Sequence, residues 1–532
     1  MKSSSVFVFY PAQIFLILIM IFIPGFNSLS REQGIVLPFE KQDSGVSFNS
    51  IDDLVATGLR EKGIEPANLC SDGVFIRRVY LDVIGTLPES QEVVKFLEDK
   101  SPDKRGRLID ALLERPEFAD YWALKWCDIL RVKAEFPINL WPNAVQAYHR
   151  WIRDSIRENK PYDQFARELL TSSGSNFRVP TVNFYRAVQG RDPSTLAGIA
   201  ALTFMGTRLD KWSEERRSRM AVFFSRVKYK STLEWKEEIV YSDTTSTPTL
   251  EAVFPDGEKV HIPPDTDPRQ VFADWLASPK NPWFARNIVN RVWSWLMGRG
   301  IIHEPDDIRP DNPAANPELL SYLEKELVKS DFDLRHIYRL ILNSRTYQQS
   351  PISKSDSPES DALFGHYLAR RLDAEVLIDA LNWIGGTGEV YISPIPEPFT
   401  FIPDYQRAIA LADGSITSQF LEMFGRPARD TGLESERNND PTDSQRLYLL
   451  NSNEIQKKIE QSPRLRRIAS DKKKNTREMI RAIYATLLSR YPTQAELGVA
   501  EKYFQTPDLN QKNAIEDLAW ALINTKEFLY RH

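Results

Sequence analysis

The chain has 532 residues, of which 42% are hydrophobic and 27% charged. This length allows two or three domains with full cores, and the 12 Trp and 28 Phe argue against a disordered chain. The 68 basic and 73 acidic residues leave a formal net charge of -5. This near-balance gives no electrostatic reason to expect a nucleic-acid partner or a basic surface that binds membranes.

The first 30 residues differ in character from the rest. Lys2 precedes an unbroken apolar run over 14–23, Pro24 and Gly25 end that run, and small residues follow at 28 and 30. This layout is typical of a secretory signal, so we expect residues 1–30 to be a signal peptide and the mature chain to be exported to the periplasm, the cell surface or the medium. An uncleaved anchor is the alternative, since 6–26 is about long enough to cross a bilayer. We expect no transmembrane span after the signal.

Helix-start signals are the strongest structural pattern in the rest of the chain. In each, an N-cap residue precedes Pro at the first helical position, where the missing N–H would have no intrahelical partner. The signals lie at Ser101-Pro102, Asp192-Pro193, Asp267-Pro268, Asn281-Pro282 and Asn316-Pro317, and Thr493 forms a capping box with Glu496. Apolar residues at helical spacing follow each signal, so the sequence predicts a mainly α fold.

The sequence divides into two helical domains joined by a small linker that contains a β-hairpin. We predict a flexible lead over 31–50, a first helical domain over 51–228, a linker over 229–266 and a second helical domain over 267–532. In the linker, strand patterns at 238–241, 250–254 and 259–262 surround an Asp256-Gly257 turn. A second non-helical stretch over 389–412 is rich in Pro and aromatic residues.

The two cysteines and the aromatic residues each have two interpretations. Cys70 and Cys127 are too far apart for a redox or zinc motif; a disulfide is open to them, but we favour two small buried apolar residues. Exposed aromatic rings stack on sugars, but helical spacing favours a core position. The aromatic residues in question are Tyr121, Trp122, Trp126, Trp141, Tyr148, Trp151 and Tyr162.

One predicted helix carries two guanidinium groups beside two amides. Arg286, Asn287, Asn290 and Arg291 form i,i+4 pairs that suit a phosphate, sulfate or carboxylate. The alternative is an interdomain polar network tied to carboxylates such as Asp373 or Glu375. If the two domains share a cleft, we expect three residues of the first domain to face Asn290 and Arg291. These three are Arg77, Asp82 and Arg131.

A run of acidic and amide residues after His303 is a weak candidate for a metal site. Its oxygen-bearing side chains at close spacing suit a hard cation such as calcium, but the run lacks the Gly and the terminal Glu of an EF-hand loop. The candidate ligands are Asp306, Asp307, Asp311 and Asn312. The alternative is a surface turn leading into the Asn316 cap.

The stretch 426–445 is dense in charged residues of both signs. Glu434 and Glu436 would serve as acid and base if the fold raised the pKa of one of them, and Arg426 and Arg437 are candidate ligand-binding residues. The alternative is a solvated loop held by salt bridges.

Several phrases along the chain are similar to one known family. They include FIRRVYLDVIGTLP at 75–88, YWALKWCDILR at 121–131, LILNSRTY at 340–347 and LINTKEFLYRH at 522–532. The chain resembles the secreted planctomycete-type proteins that pair two domains of unknown function, fifteen forty-nine and fifteen fifty-three. The resemblance covers nearly the whole mature chain and implies no established activity.

The chain departs from that family's pattern in two respects. It has no cytochrome-c-like module, and Arg208 leads directly to Lys211-Trp212, where relatives insert a Cys-x-x-Cys-His segment. We therefore expect no covalent haem, and no other cofactor is indicated.

Three functions from different classes remain open. The first is a non-catalytic binding or scaffold protein at the cell envelope, whose partner is another envelope protein or a polysaccharide. The second is a hydrolase acting on sulfated or phosphorylated glycans through a carboxylate, Arg and Asn pocket. The third, a redox role, follows from the resemblance alone. The sequence contains no P-loop, dinucleotide fingerprint, G-x-S-x-G elbow or zinc-protease motif, so whether the protein is an enzyme stays open.

Overall fold

The computed structural model describes residues 31–32, 35–41, 45–244 and 248–532. The predicted signal peptide over 1–30 lies outside the described residues. The described chain is mainly α-helical, and its strands form small sheets of two or three members. The predicted fold class is therefore confirmed.

Amphipathic helices of ordinary length build the first domain. They are α1 (Ser50–Glu61), α2 (Asp72–Val83), α3 (Ser90–Glu98), α4 (Lys104–Leu113), α5 (Pro116–Ile129), α6 (Pro142–Arg157), α7 (Tyr162–Thr171), α8 (Pro193–Met205) and α9 (Glu214–Ala221). Short 3₁₀ turns at Pro180–Tyr185, Leu209–Lys211 and Val222–Phe224 connect the later helices.

The second domain repeats this construction with more and shorter helices. They are α10 (Pro268–Leu276), α11 (Phe284–Met297), α12 (Pro317–Lys329), α13 (Leu334–Leu342), α14 (Glu359–Ala362), α15 (Ala374–Gly385), α16 (Gln419–Met423), α17 (Asp443–Asn451), α18 (Asn453–Glu460), α19 (Pro463–Ser470), α20 (Thr476–Leu488), α21 (Gln494–Phe504), α22 (Gln511–Ile523) and α23 (Lys526–Leu529). Two 3₁₀ turns, Ala408–Ala410 and Glu434–Glu436, lie in its loops.

The strands are short and join distant parts of the chain. They are β1 (Arg31–Glu32), β2 (Ile35–Val36), β3 (Glu40–Lys41), β4 (Leu69–Cys70), β5 (Gly174–Ser175), β6 (Val227–Ser231), β7 (Glu238–Ser242), β8 (Leu250–Val253), β9 (Lys259–Ile262), β10 (Arg370–Arg371) and β11 (Tyr530–Arg531). The stretch predicted as a flexible lead differs from that expectation, because β1 pairs with β2 and β3 pairs with β4.

The strands predicted for the linker are confirmed. β8 and β9 form an antiparallel hairpin, and Gly257 occupies its turn with a φ of 98°, where a side chain would be strained. β7 pairs with β6, and the first-domain strand β5 adds to the other edge of β7. The linker is therefore hydrogen-bonded to the first domain.

The helix-start signals have two different outcomes. Asp192, Asp267 and Asn316 each cap a helix whose first residue is the following Pro, as predicted. At the other two signals the helix begins two residues after the Pro: α4 begins at Lys104 and α11 at Phe284. The capping box of Thr493 is present at the start of α21.

A single contiguous core crosses the domain boundary. Trp122 of the first domain lies 5.4 Å from Trp295 and 4.4 Å from Tyr338 of the second domain, measured between ring centroids. The predicted core position of Trp122 and Trp126 is confirmed, and Cys70 and Cys127 are both buried free thiols. Burial raises the pKa of Cys127 to about 12. Within the described ranges, no helix is both long and apolar enough to cross a membrane.

Candidate functional site

A buried cluster of charged side chains lies where the two domains meet. α5 contributes two residues, the start of α15 contributes two, and the loop after α16 and the C-terminal strand β11 contribute the rest. We call this the ion cluster, and it consists of Lys125, Asp128, Asp373, Glu375, Arg426, Arg429, Arg437 and Arg531. The predicted network around Asp373 and Glu375 therefore exists, but it is built with other arginines than those of α11.

Arg437 is at the centre of the ion cluster. Its Nη2 lies 2.6 Å from Asp128 Oδ2 in the first domain, and its Nη1 lies 2.7 Å from Glu375 Oε2 in the second. A guanidinium presents its donors in a fixed fork, so one side chain bridges the two carboxylates. The Arg437 side chain is 7% exposed and that of Glu375 is fully buried, so this is an internal tie rather than a solvated loop.

Asp373 collects four donors from three separate segments, one of them the Tyr121 hydroxyl of α5 at 3.3 Å. Lys125 Nζ and Arg531 Nη2 each lie 3.0 Å from Asp373 Oδ2, and Asn439 donates to Asp373 Oδ1 at 2.8 Å. Although burial opposes ionisation, the charges of Lys125 and Arg531 hold the pKa of Asp373 well below its usual range. The carboxylate therefore stays charged and fully bonded.

Two further arginines complete the cluster from the loop after α16. Arg429 Nε lies 2.8 Å from Asp128 Oδ1, and Arg429 also donates to the carbonyl oxygens of Val132 and Ala412. Arg426 Nε lies 3.6 Å from Glu375 Oε1, and Arg426 donates to carbonyl oxygens of its own domain. Candidate residues Arg426 and Arg437 are thus both engaged by protein groups.

The two glutamates proposed as an acid and base have different environments. Glu436 accepts from the backbone N–H groups of Asp430 and Thr431, which stabilises the turn between them. Glu434 accepts from Trp295 Nε1 at 3.0 Å, and burial raises its pKa. The raised pKa meets one requirement for an acid, and the bond to Trp295 already occupies one carboxylate oxygen.

Asn287, Asn290 and Arg291 of α11 are fully buried and bonded inside the protein, whereas Arg286 is partly exposed and pairs with Glu324. Asn290 exchanges two hydrogen bonds with the backbone of Ile302. Arg291 Nη2 lies 2.5 Å from Asp306 Oδ1, and Arg291 Nη1 is 4.0 Å from Glu434 Oε2. The polar side chains of this helix therefore bond to the loop 303–312, whose Asp306 carboxylate neutralises Arg291, and to the carbonyl oxygens of Leu202 and Thr203 in α8.

The candidate metal ligands each have partners within the protein. Asp306 binds Arg291 and accepts from the backbone N–H of Glu434, whereas Asp307 and Asp311 both pair with Arg309. Asn312 donates to the carbonyl oxygens of His303 and Asp307, as in a closed turn. Among the residues that the structure describes, no group of three or more His, Cys, Asp or Glu side chains is arranged to hold a metal ion.

The three first-domain candidates do not face α11. Arg77 donates to the carbonyl oxygens of Leu487 and Phe528, and Arg131 donates to those of Ala187 and Ile129. Asp82 has four partners in the second domain, all of them outside α11. It accepts hydrogen bonds from Tyr347, Tyr367 and Arg370, and it forms an ion pair with Arg531. The expected cleft arrangement is therefore not the one the fold adopts, because Arg77 and Asp82 hold segments of the second domain against α2, whereas Arg131 is bonded within the first domain.

An open cavity of about 400 Å³ lies on the second domain, between the end of α15 and the helices α16 and α18. Two carboxylates, Glu389 and Glu454, and two lysines, Lys457 and Lys458, are among the residues that line it. Burial, with the nearby charge of Glu454, raises the pKa of Glu389 to about 7. Sequence reasoning did not identify this group, because the residues come from separate helices and a loop; the i,i+4 spacing of Glu454 and Lys458 was the one local signal.

A patch of exposed rings lies where the first domain, the linker and the 389–412 stretch meet. Trp141, Trp235 and Phe399 have ring centroids 4.6 to 5.4 Å apart, and Lys236 Nζ lies 5.1 Å and 5.7 Å from the two indole centroids. Trp235 is 57% exposed and Phe399 is 46% exposed. We call these four residues the aromatic patch. Of them, the sequence drew attention to Trp141 alone.

The comparisons with known proteins agree with this two-domain organisation. The family model described as PSCyt2, protein of unknown function (DUF1549), matches residues 50–228, and the one described as PSD1, protein of unknown function (DUF1553), matches residues 268–504. No curated protein and no solved structure matches the chain. The chain therefore belongs to the proteins that pair these two domains of unknown function.

Proposed function

We propose that this protein is an exported binding protein that holds an acidic polysaccharide at the cell envelope through the aromatic patch. The observation that carries the proposal is the set of three contacting rings, two of them about half exposed, with the Lys236 ammonium above the indoles. The signal-like first 30 residues support export.

The rings favour a ligand with flat apolar faces. An exposed Trp gives up the roughly 1.5–3 kcal/mol that burial of a large apolar side chain contributes. Clustered exposed rings therefore mark a surface that another molecule covers. The C–H faces of a sugar ring pack on an indole ring while the sugar hydroxyls stay hydrated. Trp suits this contact because it combines an apolar ring with a polar N–H group.

The charge of Lys236 favours an acidic sugar over a neutral one. Its ammonium is exposed and lies on the same side as the rings, so a uronate or sulfate group on a stacked sugar would meet it. An exposed ion pair contributes up to about 1 kcal/mol, so stacking supplies most of the affinity and Lys236 supplies selectivity.

The backbone under the patch supports a functional role as well. Trp141 and Lys236 both have positive φ angles, 75° and 63°, which is uncommon for residues other than Gly. Such conformations cost about 1–3 kcal/mol each and are concentrated at binding sites. Here they hold two members of the patch in position.

The hydrolase alternative has less support. Its candidate groups Asn290, Arg291 and Glu436 are bonded to protein groups, and Glu434 is the one member with a raised pKa. A scaffold role toward another envelope protein remains as a competing occupant of the same patch, and the experiment separates the two.

The test is affinity electrophoresis of the full chain in gels that contain dextran sulfate or uncharged dextran, which share one glucan backbone. We expect dextran sulfate to retard the protein, Trp235→Ala to lose at least about tenfold in affinity, and Lys236→Ala to reduce the preference for the charged polymer. Tyr491→Ala, which removes an exposed ring elsewhere, is the matched control.

Two results would overturn the proposal. Equal retardation of the wild type and Trp235→Ala would remove the aromatic patch as the binding site. No retardation in either gel, together with capture of one defined envelope protein that Trp235→Ala fails to capture, would replace the polysaccharide with a protein partner.

A further inference from the structure

We infer that Lys458 and Asn382 form an intramolecular isopeptide bond, an amide cross-link between two side chains, with Glu389 and Glu454 moving the protons. This inference does not depend on the proposed function, because it concerns residues outside the aromatic patch. Its basis is a lysine, an asparagine and two carboxyl groups that are packed together beside the cavity of the second domain.

The groups that would react surround one nitrogen atom. Lys458 Nζ donates to Asn382 Oδ1 at 2.8 Å and to the carbonyl oxygen of Gly388 at 3.3 Å, and it lies 3.1 Å from Glu454 Oε1 and 3.7 Å from Glu389 Oε2. Because a C=O bond is about 1.2 Å long, Nζ lies within about 4 Å of the carbonyl carbon of the Asn382 amide. This separation is close to the roughly 3–3.5 Å from which such a bond forms.

Close packing of α15 against α18 holds the lysine and the asparagine in place. Lys458 and Asn382 are both buried. Gly385 of α15 lies against α18, where an added Cβ would be 2.9 Å from Lys458 Cβ and 3.0 Å from the Lys458 carbonyl oxygen. Next to this contact, the Ser462 hydroxyl donates to the carbonyl oxygen of Ile384 at 2.6 Å. The two helices therefore fix the pair, and burial limits competition by water for the asparagine amide.

Glu389 and Glu454 form a pair of carboxyl groups that shares a proton. Their side chains are hydrogen-bonded to each other, and Glu389 is also bonded to the Ser418 hydroxyl. Burial, with the nearby charge of Glu454, raises the pKa of Glu389 to about 7. Although burial opposes it, the charge of Lys458 lowers the pKa of Glu454. Near neutral pH, Glu389 is therefore available as a proton donor and Glu454 as a proton acceptor, the two roles that acyl transfer from an amide requires.

The reaction balances without a co-reactant. Glu454 takes a proton from the Lys458 ammonium, and the neutral Nζ attacks Asn382 Cγ to form the new C–N bond. As the Cγ–Nδ2 bond breaks, Nδ2 takes the proton of Glu389 and leaves as ammonia, and a second proton of Nζ restores the carboxyl pair. The proton first taken by Glu454 leaves with the ammonia as an ammonium ion. A side-chain ammonium and a carboxamide thus become a secondary amide and a free ammonium ion, with no oxidation or reduction.

The open cavity gives the released ammonia a path to solvent. Glu389, Glu454 and Lys458 all line it, so the leaving group departs from the reacting atoms directly into the cavity. Loss of ammonia to bulk solvent then prevents the reverse reaction. The resulting bond joins residues 76 positions apart, and a cross-link of this span restricts the unfolded chain of an exported protein.

The test is mass spectrometry of the denatured full chain and of its tryptic digest. We expect most molecules to be lighter than the sequence requires by about 17 Da, the mass of one ammonia. The digest should contain a branched peptide that joins 372–407 to 458–464, because trypsin does not cleave after an acylated lysine. The wild-type chain decides this point without any variant.

The branched peptide distinguishes the cross-link from other losses of ammonia. Cyclisation of an asparagine to a succinimide, or of an N-terminal glutamine, gives the same change in mass but joins no two peptides. A lighter chain without the branched peptide would therefore overturn the inference, as would a wild-type chain of unchanged mass.

Variants connect the cross-link to these residues. Lys458→Met should abolish the branched peptide, whereas Lys457→Met, which changes the other lysine of the cavity, is the matched control and should keep the loss of ammonia. Glu389→Gln keeps the side-chain size and removes the ionisable group, so we expect the cross-linked fraction to fall at least about tenfold. Circular dichroism checks that this variant is folded. An undiminished cross-link in Glu389→Gln, or its loss in Lys457→Met, would contradict the assigned chemistry.

Discussion

The ion cluster and the aromatic patch both lie where the two domains meet. They differ in that the ion cluster buries charged groups, whereas the aromatic patch exposes apolar rings. In the ion cluster, charged groups are removed from water, and Asp128, Asp373 and Glu375 each have a cation within about 3 Å. In the aromatic patch, apolar rings remain in water without a covering element. The charged groups are used to join the domains, whereas the exposed rings remain available to another molecule.

This contrast shows that a segment rich in charged residues need not form a ligand-binding surface. The segment 426–445 attracts attention because it is rich in charge, but most of that charge is neutralised inside the protein. Buried ion pairs offset much of their Coulomb energy by desolvation, so they indicate a specific docking geometry more than high stability. The four predictions below test the difference between the two regions, from the largest expected change in stability to the smallest.

The largest effect is expected from Arg437→Met. The change leaves Asp128 and Glu375 buried without their shared cation, and removing one partner of a buried pair typically costs about 3–5 kcal/mol. The free energy of unfolding from urea titrations, followed by Trp fluorescence, measures it. Arg446→Met removes an exposed pair with Asp443 and serves as the control with little expected change. Equal effects of the two variants would contradict the assigned role of the ion cluster.

The loop that carries the cluster is expected to depend on Gly425. Its φ is 84°, and a Cβ added there would lie 1.7 Å from the carbonyl oxygen of Asn438. Gly425→Ala should therefore lower the free energy of unfolding by more than about 1 kcal/mol. The matched change Gly498→Ala lies at an exposed position of α21, where an added Cβ has no atom within 4 Å, and it should raise the free energy of unfolding by up to about 1 kcal/mol. The same urea titrations report both, and a neutral Gly425→Ala would contradict the tight packing of the loop.

Glu389 should make stability depend on pH. Its pKa is raised from 4.5 to about 7 in the folded protein, so its stabilising contribution is complete below about pH 4.5 and is lost as the pH rises to about 7. Glu389→Gln lacks this titration. The difference in unfolding free energy between wild type and variant should therefore shift in favour of the variant from pH 5 to pH 7.5. Urea titrations at these two pH values measure it, and a difference independent of pH would contradict the assignment.

The smallest effect on stability is expected from Trp235→Ala. The side chain is more than half exposed, so the loss should be about 1 kcal/mol or less, mainly from its ring contacts with Trp141 and Phe399. A variant that keeps its unfolding free energy and loses dextran sulfate binding would sharpen the contrast with Arg437→Met. A loss of several kcal/mol would assign Trp235 to the core instead.

Local patterns predicted much of the fold. The caps at Asp192, Asp267 and Asn316, the hairpin at Gly257 and the helical apolar stripes depend on residues a few positions apart, where short-range sterics and hydrogen bonds decide. At Ser101-Pro102 and Asn281-Pro282, the helix begins two residues after the Pro. This difference is within the usual uncertainty of one or two residues in the position of a helix end.

The candidate site was less predictable. The sequence indicated a polar network around Asp373 and Glu375, but it assigned the partners to α11, whereas they come from α5, from the loop after α16 and from the last strand. No local sequence pattern marked Glu389 or Trp235 as a candidate site residue. Each has the surroundings described above because of neighbours that lie tens to hundreds of positions away in the sequence.

By itself, the sequence determined the mainly α class, the two-domain pairing and the linker hairpin, and it favoured burial of both cysteines over a disulfide. Each of these follows from composition, from local spacing or from family phrases. Only the tertiary structure decided which charges neutralise each other, which carboxylate has a raised pKa and which rings stay in water. Burial and pairing are properties of long-range contacts, and a pKa or an exposed face depends on the atoms that surround a group rather than on the residues that precede and follow it.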